Sequence, residues 1–108
     1  MATPVYVLTV NSFDDPPFYL VFDELEKAQL AAKIYEEGIS AMTEDEFAKL
    51  KTYAQGIEAE TLEEYDDIGE IDNLGELNSE AYWSVKELNK FIKDNNYEIE
   101  DELDCMFV

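Results

Sequence analysis

The residues of this chain that could do chemistry are almost all carboxylates. Among its 108 residues are 27 Asp and Glu, 7 Lys and Arg, one Cys and no His, so the formal net charge is −20. The lack of His excludes an imidazole base, a His-ligated metal and the Ser–His and Cys–His nucleophiles. Cys105 alone can form neither an internal disulfide nor a cysteine zinc site, which favours a reducing cytoplasm.

Two other uses of carboxylates are acid–base catalysis and cation binding. A pair of carboxylates can hydrolyse a glycoside, but with so many acids in the chain such a pair has no diagnostic value. The segments Asp66–Glu70 and Asp72–Glu76 lack the ligand spacing of an EF-hand, so only weak, nonspecific Mg²⁺ or Ca²⁺ binding is expected. The sequence therefore predicts a protein that is not an enzyme and has no catalytic residue, metal site or cofactor.

The distribution of the acids is more informative than their number. Residues 52–85 carry ten acids and no base, and residues 94–108 carry six acids and no base. A small domain needs a net charge of only about 2–8 to be soluble, and further like charge destabilises the folded state. We therefore expect these segments to bind a partner. The candidate residues are Glu58, Glu60, Glu63, Glu64, Asp66, Asp67, Glu70, Asp72, Glu98, Glu100, Glu102 and Asp104.

The second segment alternates acidic and mostly apolar residues, which is typical of a strand with two different faces. The pattern predicts that Glu98, Glu100, Glu102 and Asp104 share one face. Alternate residues of a strand lie about 6.6 Å apart, and two phosphate steps of a B-DNA strand advance about 6.8 Å along the axis. Four such carboxylates could follow every second phosphate step.

The elements that would hold these acids in place can be predicted from local patterns. Residues 5–10 and 18–22 are β-branched and aromatic, so they predict two adjacent antiparallel strands. Capping-box patterns start one helix at Asp23 and another at Thr43, and Gly38 ends the first. A single helical turn is expected from Thr61, and Asn78 or Ser79 begins a third long helix.

Residues 97–108 complete the predicted elements as a C-terminal strand. Together they predict one acidic α+β domain over residues 1–108. A small antiparallel sheet, made of the N-terminal strand pair and the C-terminal strand, would pack against about three helices. No apolar run approaches the ~20 residues of a membrane span.

The opening of the chain resembles a known pattern. Val5-Tyr6-Val7-Leu8-Thr9, Val21-Phe22-Asp23 and Glu26-Lys27-Ala28 are similar to the ββα opening of small uncharacterised phage proteins, over residues 5–35. The composition of the whole chain resembles that of phage nucleic-acid-mimic inhibitors. The resemblance implies a small phage accessory protein in the bacterial host cytoplasm, and it implies no site residues.

The function expected from these features is inhibition by DNA mimicry. An ordered acidic surface would occupy the nucleic-acid-binding groove of a basic host protein, such as a restriction nuclease, a CRISPR effector or another DNA-binding protein. Evasion of host defence would follow. The negative charge disfavours direct binding to nucleic acid or to anionic membranes. Two alternatives stay open: an immunity protein or antitoxin for one cognate basic nuclease, and an acidic phage accessory protein without mimicry.

Two aromatic residues complete the candidate surface. Trp83 is expected on the third long helix. Three roles stay open for it: covering a small core, anchoring a partner, or forming a homodimer contact. Tyr65 is flanked by acids on both sides, which suggests that it lies on the partner-binding surface.

Overall fold

The computed structural model describes residues 2–38, 41–53, 60–66, 75–78 and 80–107, with residues 65 and 66 as backbone alone. The elements within them are β1 (Thr3–Asn11), β2 (Phe18–Phe22), α1 (Leu25–Glu37), α2 (Glu44–Tyr53), α3 (Leu62–Asp66), α4 (Val85–Asp94) and β3 (Tyr97–Met106). The predicted α+β class is confirmed.

The three strands form one mixed sheet in the order β2-β1-β3. β1 and β2 are antiparallel, as predicted, but β3 runs parallel to β1. The prediction of an antiparallel sheet is therefore wrong for β3. β2 ends beside the start of β1, and the chain that follows it also returns to this end before β3 begins. There Thr3 N–H donates to the carbonyl of Asn96 at 3.1 Å. β3 therefore starts where β1 starts and runs in the same direction.

The central strand β1 lies between two cores, one on each face of the sheet. On one face, Leu8 and Val10 pack with buried residues of α1 and α2. On the other face, Val5 and Val7 pack with Leu88 of α4. Because both faces are buried, β1 is a nearly continuous apolar run instead of an alternating one.

The two predicted capping boxes have different outcomes. At the start of α2, Thr43 N–H donates to Glu46 Oε1 at 2.9 Å and Glu46 N–H donates to Thr43 Oγ1 at 3.2 Å, which confirms the prediction. At the start of α1 the prediction is wrong, because Glu24 is the N-cap and its side chain caps nothing. The Asp23 carboxylate instead accepts a hydrogen bond from Lys27.

Two further local predictions are confirmed. Gly38 ends α1 with a positive φ of 87°, and its N–H donates to the Ile34 carbonyl at 2.9 Å. Thr61 caps the short helix α3, where its hydroxyl accepts the Glu64 N–H at 3.2 Å.

The third long helix begins later than predicted. α4 starts at Val85 with Ser84 as its N-cap, whereas Asn78 lies outside any helix and Ser79 lies outside the described residues. Asn78 is only 2% exposed. Its side chain accepts the Val21 N–H at 2.9 Å and donates to the Glu80 carbonyl at 2.7 Å. These hydrogen bonds compete with a helix start, since Asn side chains readily bond to nearby backbone.

The segment around Asn78 covers the outer edge of β2. Leu77 N–H donates to the Val21 carbonyl at 2.7 Å, and Tyr19 and Tyr82 exchange two backbone hydrogen bonds of 2.7 and 3.1 Å. β2 is therefore shielded from further strand pairing. Among the described residues, β3 is left as the open edge of the sheet.

Candidate functional site

The open edge strand β3 also carries more acids than any other described element. All five of its carboxylates have exposed side chains. They are Glu98, Glu100, Asp101, Glu102 and Asp104. The strand holds them in place because its backbone pairs with β1 from Thr3 to Asn11. This is an ordered acidic array on a scaffold strand, and we call it the acidic edge.

A β-bulge changes the geometry that the sequence predicts for the acidic edge. Val5 pairs with Ile99, but the next β1 residue, Tyr6, pairs with Asp101. Glu100 is thus an extra residue, and an insertion of one residue reverses the facing of everything after it. The prediction that Glu98, Glu100, Glu102 and Asp104 share one face is therefore wrong.

The packing of the apolar residues of β3 confirms this reversal. Ile99 packs with the core under α4, whereas Leu103 and Cys105 belong to the core under α1 and α2. Paired residues of a parallel ladder project to the same side. Glu98, which pairs with Pro4, consequently lies on the opposite face from Glu102, which pairs with Val7.

The bulge divides the carboxylates of the acidic edge into two sets, one on each face of the sheet. Glu102 and Asp104 share the α4 face, while Glu98 and Asp101 share the face of α1 and α2. Because both groups are exposed, the edge of the sheet is negative on both sides. Such a surface can pair with both basic walls of a cleft at once. A single flat basic face would reach only one of the two sets.

Four of the seven lysines pair with acids on or beside the helices instead. Their partners lie in α1, α2 and α4 or in the turn before α1. The ion pairs are Lys27 with Asp23 and Glu24, Lys33 with Glu46, Lys49 with Glu26, and Lys90 with Asp94. Within the described part of the chain, the acidic edge contributes to none of these pairs. Its charge is left available to an outside cation.

The Lys33–Glu46 pair shows how tightly some helical acids are held. The hydrogen bond from Lys33, with a further one from the Thr43 backbone, lowers the pKa of Glu46 to about 2. Ion pairs this accessible to solvent add little to stability. Their importance here is that they offset acids on α1, α2 and α4, whereas the acidic edge has no such pair among the described residues.

The first acidic segment is described only in part. Glu60, Glu63 and Glu64 are exposed in and before α3, which attaches to the core through Leu62. The Glu64 carboxylate accepts the Glu60 N–H at 3.1 Å and so has a local structural role. The other candidates here lie outside the described residues: Glu58, Asp67, Glu70, Asp72 and the side chains of Asp66 and Tyr65.

Trp83 lies on the surface, but not on a helix as predicted. It precedes the N-cap of α4 and is 54% exposed. Its ring packs against Phe18 with a centroid distance of 5.1 Å. The bridge between Tyr19 and Tyr82 fixes the backbone beside it, so this tryptophan is held in place while much of its ring contacts solvent.

Sequence reasoning did not identify Asp101 or Phe107 as candidate residues. The alternating pattern places Asp101 on the apolar face, and only the bulge at Glu100 shows otherwise. Phe107 follows β3, is 49% exposed and contacts Tyr35 at 5.7 Å. The sequence shows that Phe107 follows a strand. It does not show the contact with Tyr35, because that residue lies far away in the chain.

Neither a metal centre nor a membrane span is found in the described ranges. No group of three or more His, Cys, Asp or Glu side chains there could hold a metal ion. None of the helices in these ranges has both the length and the apolar character needed to cross a membrane. No protein-family model, curated protein or solved structure is similar enough to match this chain.

Proposed function

We propose that this protein is a phage-encoded DNA-mimic inhibitor that binds the nucleic-acid-binding groove of a basic host protein in the bacterial cytoplasm. The observation that carries the proposal is the acidic edge: five exposed carboxylates on one ordered strand, without an ion pair among the described residues. In the groove, these carboxylates would take the places of phosphates. The protein would inhibit by occupancy and would carry out no catalysis.

The two-sided geometry supports a groove as the binding site. A cleft that holds nucleic acid has basic side chains on both walls, and the acidic edge has carboxylates on both faces. Long-range attraction between the net charge of −20 and a basic cleft would also accelerate association. Affinity should therefore fall as salt is added, because ions screen exposed charges.

Protection of an open edge is a competing explanation for these acids. Natural sheets place charges and bulges on edge strands to prevent pairing with other chains. One or two charges are enough for that purpose, and either sign would serve. Edge protection explains the position of the acids but not their uniform sign or the excess charge of the chain.

An immunity protein or antitoxin is the second candidate function. It is favoured by the exposed rings of Trp83 and Phe107, because large aromatic side chains give shape-specific recognition of one partner. A protein of this kind would block one cognate basic nuclease and leave unrelated DNA-binding proteins active.

A displacement assay tests the proposed function. A fluorescent DNA duplex is bound to each of several unrelated DNA-binding proteins, for instance a nonspecific nuclease, a restriction endonuclease and a nucleoid protein. Displacement of the duplex by this protein is followed by fluorescence anisotropy. We expect displacement from more than one target. Direct binding of this protein to each target, measured without DNA, should weaken as salt is added.

Polyglutamate of equal net charge is the control for this assay. It carries the charge without the scaffold, so mimicry predicts that it displaces the duplex at least about tenfold less effectively. If polyglutamate displaced the duplex as effectively as the protein does, the ordered arrangement of carboxylates on the acidic edge would have no role. Displacement from only one target would favour the immunity-protein function, and displacement from none would contradict general DNA mimicry.

A further inference from the structure

Four aromatic rings form a continuous row at one end of the sheet. Trp83 contacts Phe18 at 5.1 Å, Phe18 contacts Tyr35 at 5.8 Å, and Tyr35 contacts Phe107 at 5.7 Å between ring centroids. The four residues come from the segment before α4, from β2, from α1 and from the position directly after β3. We call this group the aromatic row.

The two ends of the aromatic row are open to solvent. Trp83 is 54% exposed and Phe107 is 49% exposed. Phe13, in the loop between β1 and β2, is 88% exposed at the same end of the sheet. Phe107 N–H donates to the Asn11 carbonyl at 2.7 Å, which places this loop next to the row. A cluster of exposed rings on a very acidic protein marks an interaction surface.

Carboxylates surround the aromatic row. Asp14 and Asp15 follow Phe13, and both are exposed. Glu36 follows Tyr35 on α1 and is exposed, and the exposed Asp104 lies three residues before Phe107. Asp104 belongs to the acidic edge, so this edge ends beside the row, although the Asp104 side chain is on the α4 face of β3.

We propose that the aromatic row docks arginine side chains of the basic partner, next to the cleft that receives the acidic edge. The inference rests on the proposed function and adds the side-chain chemistry of the partner. A guanidinium stacks on an aromatic face and also pairs with a carboxylate, and it is less strongly hydrated than an ammonium. A second copy of this chain is disfavoured as the occupant, because the two surrounding sets of carboxylates would repel each other.

Two cationic peptides test the inference directly. An oligo-arginine and an oligo-lysine of equal length are titrated into the protein at one fixed ionic strength, with affinity measured by calorimetry. Both bind the acidic surfaces, but the arginine peptide should bind about two- to fivefold more tightly, because stacking on exposed rings stabilises it further. Trp83 is the only Trp of the chain, so its fluorescence should respond more to oligo-arginine.

Variants separate the aromatic row from the acidic edge. Trp83→Leu keeps apolar area but removes the ring, and it should abolish the preference for arginine while leaving oligo-lysine binding unchanged. Val85→Ala is the matched control, since Val85 is also 54% exposed and carries no ring. Amide substitutions in the acidic edge should weaken both peptides equally.

Each result has a defined meaning. Equal binding of the two peptides, or an arginine preference that survives Trp83→Leu, would overturn the inference. Sedimentation that shows a dimer lost in Trp83→Leu would overturn it as well, in favour of a second copy as occupant. If the arginine preference is present but the displacement assay shows no inhibition, the proposed function fails and the aromatic row still binds guanidinium groups.

Discussion

Conversion of four acidic-edge residues to amides is expected to weaken displacement of DNA from a target by about three orders of magnitude. The variant carries Glu98→Gln, Glu100→Gln, Glu102→Gln and Asp104→Asn. Charge-assisted contacts across an interface contribute on the order of 1 kcal/mol each, and a tenfold change in affinity is about 1.4 kcal/mol. The fluorescence displacement assay measures the effect. Removal of like charge from one strand should leave the thermal stability unchanged or raised.

A control variant with the same net charge shows whether position matters. Glu44→Gln, Asp45→Asn, Glu80→Gln and Glu87→Gln also remove four negative charges from exposed side chains, on α2, on α4 and in the segment beside β2. This variant should lose less than about threefold in potency, because only the long-range attraction is reduced. Equal losses in the two variants would show that net charge alone acts, and that the acidic edge has no special role.

Replacement of Asn78 by Ala should lower the free energy of unfolding by about 2–3 kcal/mol. The side chain is buried and bonds to the backbone of Val21, Glu80 and Tyr19. Its loss leaves the Val21 N–H unpaired in the interior, and a buried unsatisfied group costs about 1–3 kcal/mol. Urea unfolding measures the change. Faster hydrogen exchange at Val21 and Tyr82 should accompany it, since this segment covers the edge of β2.

Asn95→Ala is the matched control for Asn78→Ala. Its amide also donates to a backbone carbonyl, that of Phe91 at 2.9 Å, but the side chain is exposed. Water replaces the lost partner there, so the change should be within about 0.5 kcal/mol. If Asn78→Ala were equally mild, the buried hydrogen bonds would not hold the segment to β2, and the fixed position of Trp83 would need another cause.

The features that the sequence predicts correctly depend on neighbours in the chain. The runs at residues 5–10 and 18–22 predict β1 and β2 because their β-branched and aromatic residues suit a sheet. Thr43 and Glu46 lie three residues apart, so their reciprocal caps are visible in the sequence, and Gly38 marks a helix end for the same local reason.

Two of the incorrect predictions concern features that depend on distant contacts, and a third has a local cause. Glu100 becomes a bulge only because β3 pairs with β1, and nothing within residues 97–106 reveals the insertion. Asn78 has the character of a helix cap, yet its partner is Val21, far away in sequence. At Asp23 the carboxylate pairs with Lys27 one turn later, a local alternative that competes with the capping box.

The candidate site was predicted in part. The acids of β3 were identified from their density, but the face on which each lies depends on the bulge. The aromatic row could not be predicted, because Phe18, Tyr35, Trp83 and Phe107 belong to four separate segments. Composition indicates that a chain has an acidic surface, whereas only the tertiary structure shows where aromatic residues adjoin it.

Chemical-shift mapping tests the central claim most directly. Isotope-labelled protein is titrated with a basic DNA-binding protein from which it displaces DNA, and backbone amide signals are followed. We predict that the largest changes occur at residues 98–106 and that excess DNA duplex restores the free spectrum. Unchanged β3 signals in the complex, or changes that persist when excess duplex has been added, would contradict the occupation of a nucleic-acid groove by the acidic edge.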